Sequence, residues 1–234
     1  MKHFAITLLA GLGLLAAGCA KDNITPPTSQ LTGRITYQNQ PLNVRGSGNV
    51  QLELWQRGEY NRNKIQVFVA QDGTYSAELF DGDYKLTRLR DNGPWQNNTD
   101  SISVTVKGNT VVDVPVQPYF TIGTTTFAKA TNAVTASCLV SQLSTSRSIE
   151  YVGLFLNYTQ FVDNVNVVAL TRAEQLANTG ATLSGAALAN LSTTLNLSFN
   201  IPAAAKGKTL YARVGVKTQG VGELIYSPVQ IIMP

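Results

Sequence analysis

The sequence predicts an all-β protein built from two tandem β-sandwich domains. Short segments of alternating apolar and polar residues recur along the chain, and turns rich in glycine, aspartate and asparagine separate them. Only residues 171–177 have the pattern of a helix, in which Thr171 and Glu174 form a capping box. Many short strands with so little helix are typical of β-sandwiches.

The first 18 residues have the features of a secretion signal. Lys2 lies in a short polar start, and the apolar run 4–17 is too short to span a membrane as a finished helix. Small residues at 16–18 lead to Cys19, which resembles a bacterial lipobox whose cysteine is acylated. An ordinary signal peptide, cut near residue 17 or 18, is the alternative. We expect a cell-envelope protein, anchored to the outer membrane by lipid on Cys19 and exposed at the cell surface.

The remaining chain divides into a tether and two domains. Residues 19–30 are polar and contain Pro26-Pro27, so they predict a flexible tether behind the lipidated cysteine. Removing 18 of the 234 residues leaves 216, which suits two domains of ordinary size, at 31–118 and 119–234. The predicted strands of the first are 31–37, 50–55, 64–69, 75–80, 84–89, 101–106 and 111–116. Those of the second are 120–127, 133–143, 149–156, 164–170, 194–201, 210–217 and 224–233.

Both halves resemble known sandwich families. The turns of the first half, with its glycines and the tyrosines that follow them, resemble a transthyretin-like or carboxypeptidase-regulatory-like domain: Gly33, Pro41-Leu42, Asp72-Gly73-Thr74-Tyr75 and Gly82-Asp83-Tyr84. The end of the second half resembles the last hairpin of an immunoglobulin-like or fibronectin-III domain, through residues 209–216, the turn Gly220-Val221-Gly222 and Tyr226-Ser227-Pro228.

Together, the two halves resemble a two-domain lipoprotein family of Bacteroidetes whose function is unknown. The stretch 156–162 carries part of this resemblance. It implies an association with Sus-like polysaccharide utilisation, and therefore a polysaccharide, an outer-membrane transporter or a glycan-capturing lipoprotein as partner. The balanced charge of residues 31–118 favours a neutral polysaccharide.

Composition argues against several other functions. Without Lys2, 17 basic residues face 14 acidic ones, and residues 31–118 hold nine of each, with no cluster suited to nucleic acid. The single histidine, His3, lies in the predicted signal, which removes Ser-His-Asp and Cys-His sites and most zinc sites. Cys138, in an apolar stretch, is predicted to be a core residue. We expect no enzyme, no cofactor and no metal.

Aromatic residues are the better candidates for a ligand site. Trp95 lies in the polar segment 90–99, where Arg90, Asp91, Gln96 and Asn97 are placed to bind hydroxyl groups. A sugar could stack on this ring, but the alternative is that Trp95 folds back and closes the end of the sandwich. The exposure of Trp95 separates the two interpretations.

A second candidate surface surrounds Trp55. Leu52 and Leu54 share one face of their strand and Trp55 lies on the other. Trp55 is therefore either exposed together with Tyr60 or packed in the core or between the domains. In addition, Asp100-Ser101-Ile102 resembles a Bacteroidetes O-glycosylation site, with Ser101 as the modified residue.

These observations leave two hypotheses. The first is a non-catalytic surface accessory of a nutrient uptake system, which binds glycan or docks on the transporter. The second is a structural spacer or adhesion module without a small-molecule ligand.

Overall fold

A computed structural model describes residues 25–46, 48–56, 64–170 and 172–233. It confirms two tandem β-sandwiches made almost entirely of strands. The strands are β1 (Ser29–Tyr37), β2 (Gln40–Pro41), β3 (Gln51–Gln56), β4 (Lys64–Phe68), β5 (Thr74–Leu79), β6 (Gly82–Arg88), β7 (Ile102–Val106), β8 (Asn109–Val111), β9 (Val114–Pro115), β10 (Phe120–Ile122), β11 (Thr126–Lys129), β12 (Ala133–Cys138), β13 (Val140–Gln142), β14 (Ile149–Asn157), β15 (Thr182–Leu183), β16 (Leu195–Asn200), β17 (Leu210–Thr218), β18 (Ile225–Tyr226) and β19 (Gln230–Ile232).

The first sandwich packs a sheet built around β1 against a sheet of order β4-β3-β6-β7. Strand β1 pairs with β2 and β5 in antiparallel fashion and with β8 and β9 in parallel fashion. Alternation places one side of each strand in the core, including Leu52 and Leu54 of β3, which are fully buried. The other side of β3 therefore faces away from the core.

A tyrosine and a glycine fix the register of β1 and β5. Gly33 lies opposite Tyr75, whose hydroxyl donates a hydrogen bond to the Val112 carbonyl oxygen at 2.5 Å. A Cβ at Gly33 would lie only 1.8 Å from that same oxygen. Any side chain at position 33 would therefore displace the segment that joins β8 to β9.

The second sandwich is built around the long pair β14 and β17. Strands β15, β18 and β19 complete their sheet, β11-β12-β16 form the opposing one, and β10 pairs with β13. Cys138 is buried at the end of β12, so the prediction of a core residue is confirmed. Burial raises the pKa of its thiol to about 11, which keeps the group protonated and unreactive at neutral pH.

Some predicted elements of the second half differ in the structure. The predicted strand 164–170 is wrong: the segment is a loop, in which the carboxylate of buried Asp163 accepts hydrogen bonds from the backbone N–H groups of Val165 and Asn166, both at 2.8 Å. Val165 and Val167 are exposed while Val168 is buried, so the apolar residues of this segment do not share one core face. The helix α1 (Arg172–Ala177) is where the pattern placed one, while Thr171 of the capping box lies outside the described residues.

One buried arginine joins the two sandwiches. Arg213 of β17 has no exposed surface, and its guanidinium donates to carbonyl oxygens of both domains. The acceptors are Ser227 (2.9 Å), Val44 (3.2 Å), Gln71 (3.3 Å) and Val162 (3.4 Å). Burial lowers its pKa to about 10, which leaves it charged at neutral pH. A network that spans both domains in this way holds them at a defined angle.

Within the described ranges, no helix has both the length and the apolar composition that a membrane crossing requires.

Candidate functional site

Trp95 is buried, which agrees with the interpretation that its ring folds back and closes the end of the sandwich, and not with the interpretation that it is exposed. Only 4% of the residue is accessible, and its backbone bridges to Pro118, just before the second domain. The neighbouring Gln96 N–H donates to the Gln117 carbonyl oxygen at 2.9 Å, which fixes the loop against this connection. Because its ring packs in the core, Trp95 closes the sandwich end and offers no stacking surface.

The polar neighbours of Trp95 lie at the surface, but apart from any exposed ring. Asp91 and Asn97 bond to each other, from Asn97 Nδ2 to Asp91 Oδ1 at 2.6 Å and from the Asp91 N–H to Asn97 Oδ1 at 2.8 Å. Arg90 and Asp91 form a fully solvated ion pair at 3.7 Å. Gln96 and Asn97 line an open polar cleft of about 680 Å³. That these four residues bind a ligand remains a prediction. The Trp95 ring beside them is buried, so they have no exposed ring on which a sugar could stack.

Trp55 is the exposed tryptophan of the first domain. It is 37% accessible and lies on the outer side of β3, opposite the buried leucines. Its indole Nε1 donates to Thr87 Oγ1 on β6 at 3.2 Å, so the ring lies across the sheet and is held in place. Since about a third of the residue is accessible, the tethered Trp55 side chain remains partly open to solvent.

Polar side chains surround the Trp55 ring on the outer face of this sheet. Lys64 and Lys85 are its cross-strand neighbours, and Lys64 Nζ pairs with Glu53 at 2.5 Å. We call this surface the Trp55 face; its outward residues are Gln51, Glu53, Trp55, Lys64, Gln66, Phe68, Asp83, Lys85, Thr87, Ser103 and Thr105. An apolar ring among donors and acceptors is an arrangement that suits a sugar, whose C–H faces stack while its hydroxyls bond.

Three further predicted positions have different outcomes. Cys19 and Tyr60 lie outside the described residues, so lipidation and the pairing of Tyr60 with Trp55 remain predictions. Ser101 is exposed directly before β7, where a modifying enzyme can reach it.

Two phenylalanines that sequence reasoning did not single out are also exposed. Phe68 on β4 and Phe161 in the loop after β14 are each 53% accessible, and they line the same groove between the domains. The signal for Phe68 was present, because in β4 the buried position is Val67 and the phenylalanine takes the opposite side.

The described residues show no arrangement typical of a metal centre. None of their histidine, cysteine, aspartate and glutamate side chains gather in groups of three or more that could hold an ion. Some acidic side chains support turns, as at Asp72, whose Oδ1 accepts from the Thr74 N–H at 3.1 Å and from its hydroxyl at 2.7 Å. Others form ion pairs, as Glu53 does with Lys64.

The fold and the exposed rings define a class: a protein of two tandem β-sandwiches whose first domain presents a tryptophan on a sheet face. The family model described as "Protein of unknown function (DUF3823) N-terminal domain" matches residues 29–117, and "Domain of unknown function (DUF3823_C)" matches residues 120–231. The chain belongs to this DUF3823 family. None of the curated proteins matches it.

Solved structures agree with this assignment. A DUF3823 family protein from Parabacteroides merdae is 41% identical, with a TM-score of 0.77 over 89% of this chain and 100% of its own. A second family member, from Bacteroides ovatus, is 34% identical, with a TM-score of 0.76 over 88% of this chain and 98% of its own. A Bacteroides uniformis protein for which carbohydrate binding is proposed is 19% identical, with a TM-score of 0.72 over 89% of this chain and 100% of its own. At that identity the last likeness is one of fold.

Proposed function

We propose that this protein is a non-catalytic, glycan-binding lipoprotein of the bacterial cell envelope, and an accessory of a Sus-like nutrient uptake system. The observation that carries the proposal is the ordered, exposed indole of Trp55 on a polar sheet face. The proposed carbohydrate binding of the structural neighbour from Bacteroides uniformis supports the same ligand class.

A neutral polysaccharide fits the Trp55 face better than a polyanion. Its charged residues are of both signs, with Glu53 paired to Lys64, and Asp83 on the same side of β6 as Lys85. Binding should therefore depend on stacking and hydrogen bonds, and added salt should weaken it little, since ions screen charges and not apolar contacts.

Calorimetry with the soluble form, residues 20–234, tests the role of Trp55. Stacking on an aromatic ring contributes about 1–3 kcal/mol for a nucleic-acid base, and a similar value for a sugar predicts about tenfold weaker binding in Trp55→Ala. Trp55→Phe keeps a ring but loses the hydrogen bond to Thr87, so its affinity should lie between those of the wild type and Trp55→Ala. Equal affinity in Trp55→Ala and the wild type would place the site elsewhere.

The second candidate is a structural spacer. The fixed domain junction around Arg213 favours it, because a rigid pair of sandwiches holds a surface at a constant distance from the membrane. A wild-type protein that binds no glycan, but remains attached to the membrane in cells, would support this function.

A further inference from the structure

A groove at the domain junction has an aromatic residue from each domain in its walls. Its volume is about 450 Å³, and its lining combines the β4–β5 connection of the first domain with the loop after β14 of the second. Phe68 and Phe161 are each about half exposed there. Volumes of this size are typical of small-ligand sites, which often lie between domains.

The walls of the groove are held in place by hydrogen bonds across the junction. Gln71 Nε2 donates to the Gln160 carbonyl oxygen at 2.9 Å, and Arg213 donates to the carbonyl oxygen of Gln71. Asn157 Nδ2 donates to the Phe161 carbonyl oxygen at 2.7 Å, which fixes the backbone that carries this ring. The groove is therefore formed before a ligand binds, and the entropic cost of ordering its walls on binding is small.

Phe68 is positioned by a glycine beneath its ring. Gly48 has φ +74°, which favours glycine, and a Cβ there would lie 3.3 Å from the Phe68 ring. The ring thus lies close to the Gly48 backbone, and both residues line the groove. About half of the Phe68 residue remains exposed.

The chemistry of the lining selects a neutral, hydroxyl-rich ligand. Among the described lining residues, Asp72 is the only charged side chain, so a polyanion would meet a carboxylate and no cation. The exposed amide of Gln160 and the carboxylate of Asp72 can bond hydroxyl groups at the rim, while the two phenyl rings can stack against apolar sugar faces.

The groove and the Trp55 face share one residue, Phe68. Phe68 lies on the outer side of β4 together with Lys64, and Lys64 is the cross-strand neighbour of Trp55. Lys64 and Phe68 are four residues apart at about 3.4 Å each, so the backbone positions of Trp55 and Phe68 are about 14 Å apart along the strand direction. One extended glycan chain can therefore contact both.

We infer that the interdomain groove is a second stacking subsite, built by Phe68 and Phe161, for the neutral glycan chain that lies on Trp55. This inference rests on the proposed function and adds a path for the ligand across the domain junction. It also assigns a binding residue to the second domain, namely Phe161.

Affinity gel electrophoresis of residues 20–234 through dextran, starch, xylan, galactomannan and laminarin tests the subsite. For a polysaccharide that retards the wild type, Phe161→Ala should weaken binding about tenfold, and Phe161→Tyr should retain it because the ring remains. Phe80→Ala removes an equally exposed ring that does not line the groove, so it should leave binding unchanged. In the double variant Phe161→Ala/Trp55→Ala, the fold-losses of affinity of the two single variants should multiply, as expected of independent contacts.

The outcomes distinguish the subsite from the proposed function. If Trp55→Ala weakens binding while Phe161→Ala matches the wild type, the groove is not a subsite and the proposed function stands. If Phe80→Ala weakens binding as much as Phe161→Ala, the effect is not specific to the groove and the inference fails. If none of the five gels retards the wild-type protein, both the subsite and the proposed function are wrong.

Discussion

Replacing Arg213 by alanine tests whether the domain junction stabilises the whole protein. The substitution removes the donors of the Ser227 and Val44 carbonyl oxygens, which accept at 2.9 and 3.2 Å in a buried setting. An unsatisfied buried polar group costs about 1–3 kcal/mol, so two of them give about 2–6 kcal/mol. We expect the free energy of unfolding to fall by about 4 kcal/mol.

Urea unfolding of residues 20–234, followed by circular dichroism, measures this change. With a slope of about 2 kcal/mol per M, the midpoint should fall by about 2 M, and the two sandwiches should begin to unfold separately. Arg34→Ala is the matched control, because Arg34 makes only an exposed ion pair with Asp113 at 3.7 Å and should lose less than about 1 kcal/mol. An Arg213→Ala midpoint equal to that of the control would refute the reasoning.

Four further predictions follow from other parts of the chain. Cys19→Ser should abolish fatty-acid labelling and release the protein from membranes; an unlabelled wild type that stays membrane-bound would contradict lipidation. Trp95→Ala should lower the free energy of unfolding by about 3–5 kcal/mol, as for other buried aromatic residues, and a loss below about 1 kcal/mol would argue against burial. Hydrogen bonds from the Ser29 hydroxyl and the Gly108 N–H lower the pKa of Asp81. The ionised carboxylate therefore stabilises the fold above its unfolded pKa, and this stabilisation is lost as the pH falls through the folded pKa. Asp81→Asn should reduce the dependence of the free energy of unfolding on pH in the acid range, and an unchanged dependence would exclude this role. If Ser101 is glycosylated, the intact mass of the native protein exceeds that of chain plus lipid, and Ser101→Ala removes the excess.

Alternation predicted most strands because each sandwich buries one side of each strand. The pattern of β3, with Leu52 and Leu54 inside and Trp55 outside, was readable directly from the sequence. The pattern was misleading at 164–170, because a local hydrogen-bond network around the Asp163 carboxylate shapes that loop and burial does not alternate along it. Alternation is evidence for a strand only where a second sheet covers one side.

The candidate site was less predictable than the fold. The polar sequence around Trp95 suggested exposure, but its bridge to Pro118 joins positions that are distant in sequence, which local pattern does not contain. The groove was hidden for a similar reason, because Phe68 and Phe161 are far apart in sequence and only the domain junction brings them together. One feature of the junction is visible in the local sequence, because Arg213 is a charged residue among the apolar residues of β17.

The position of β1 determines how the molecule responds to mechanical force. The described segment 25–28 enters this strand directly, and β1 pairs with β5 along one edge and with β8 and β9 along the other. A force applied through that segment along the strand axis would load the hydrogen bonds of both edges together, in shear. In a hairpin at the edge of a sheet, by contrast, the bonds can break one at a time. In the proposed lipid-anchored form, a tether joined to this central strand would transmit force to the first sandwich before the second.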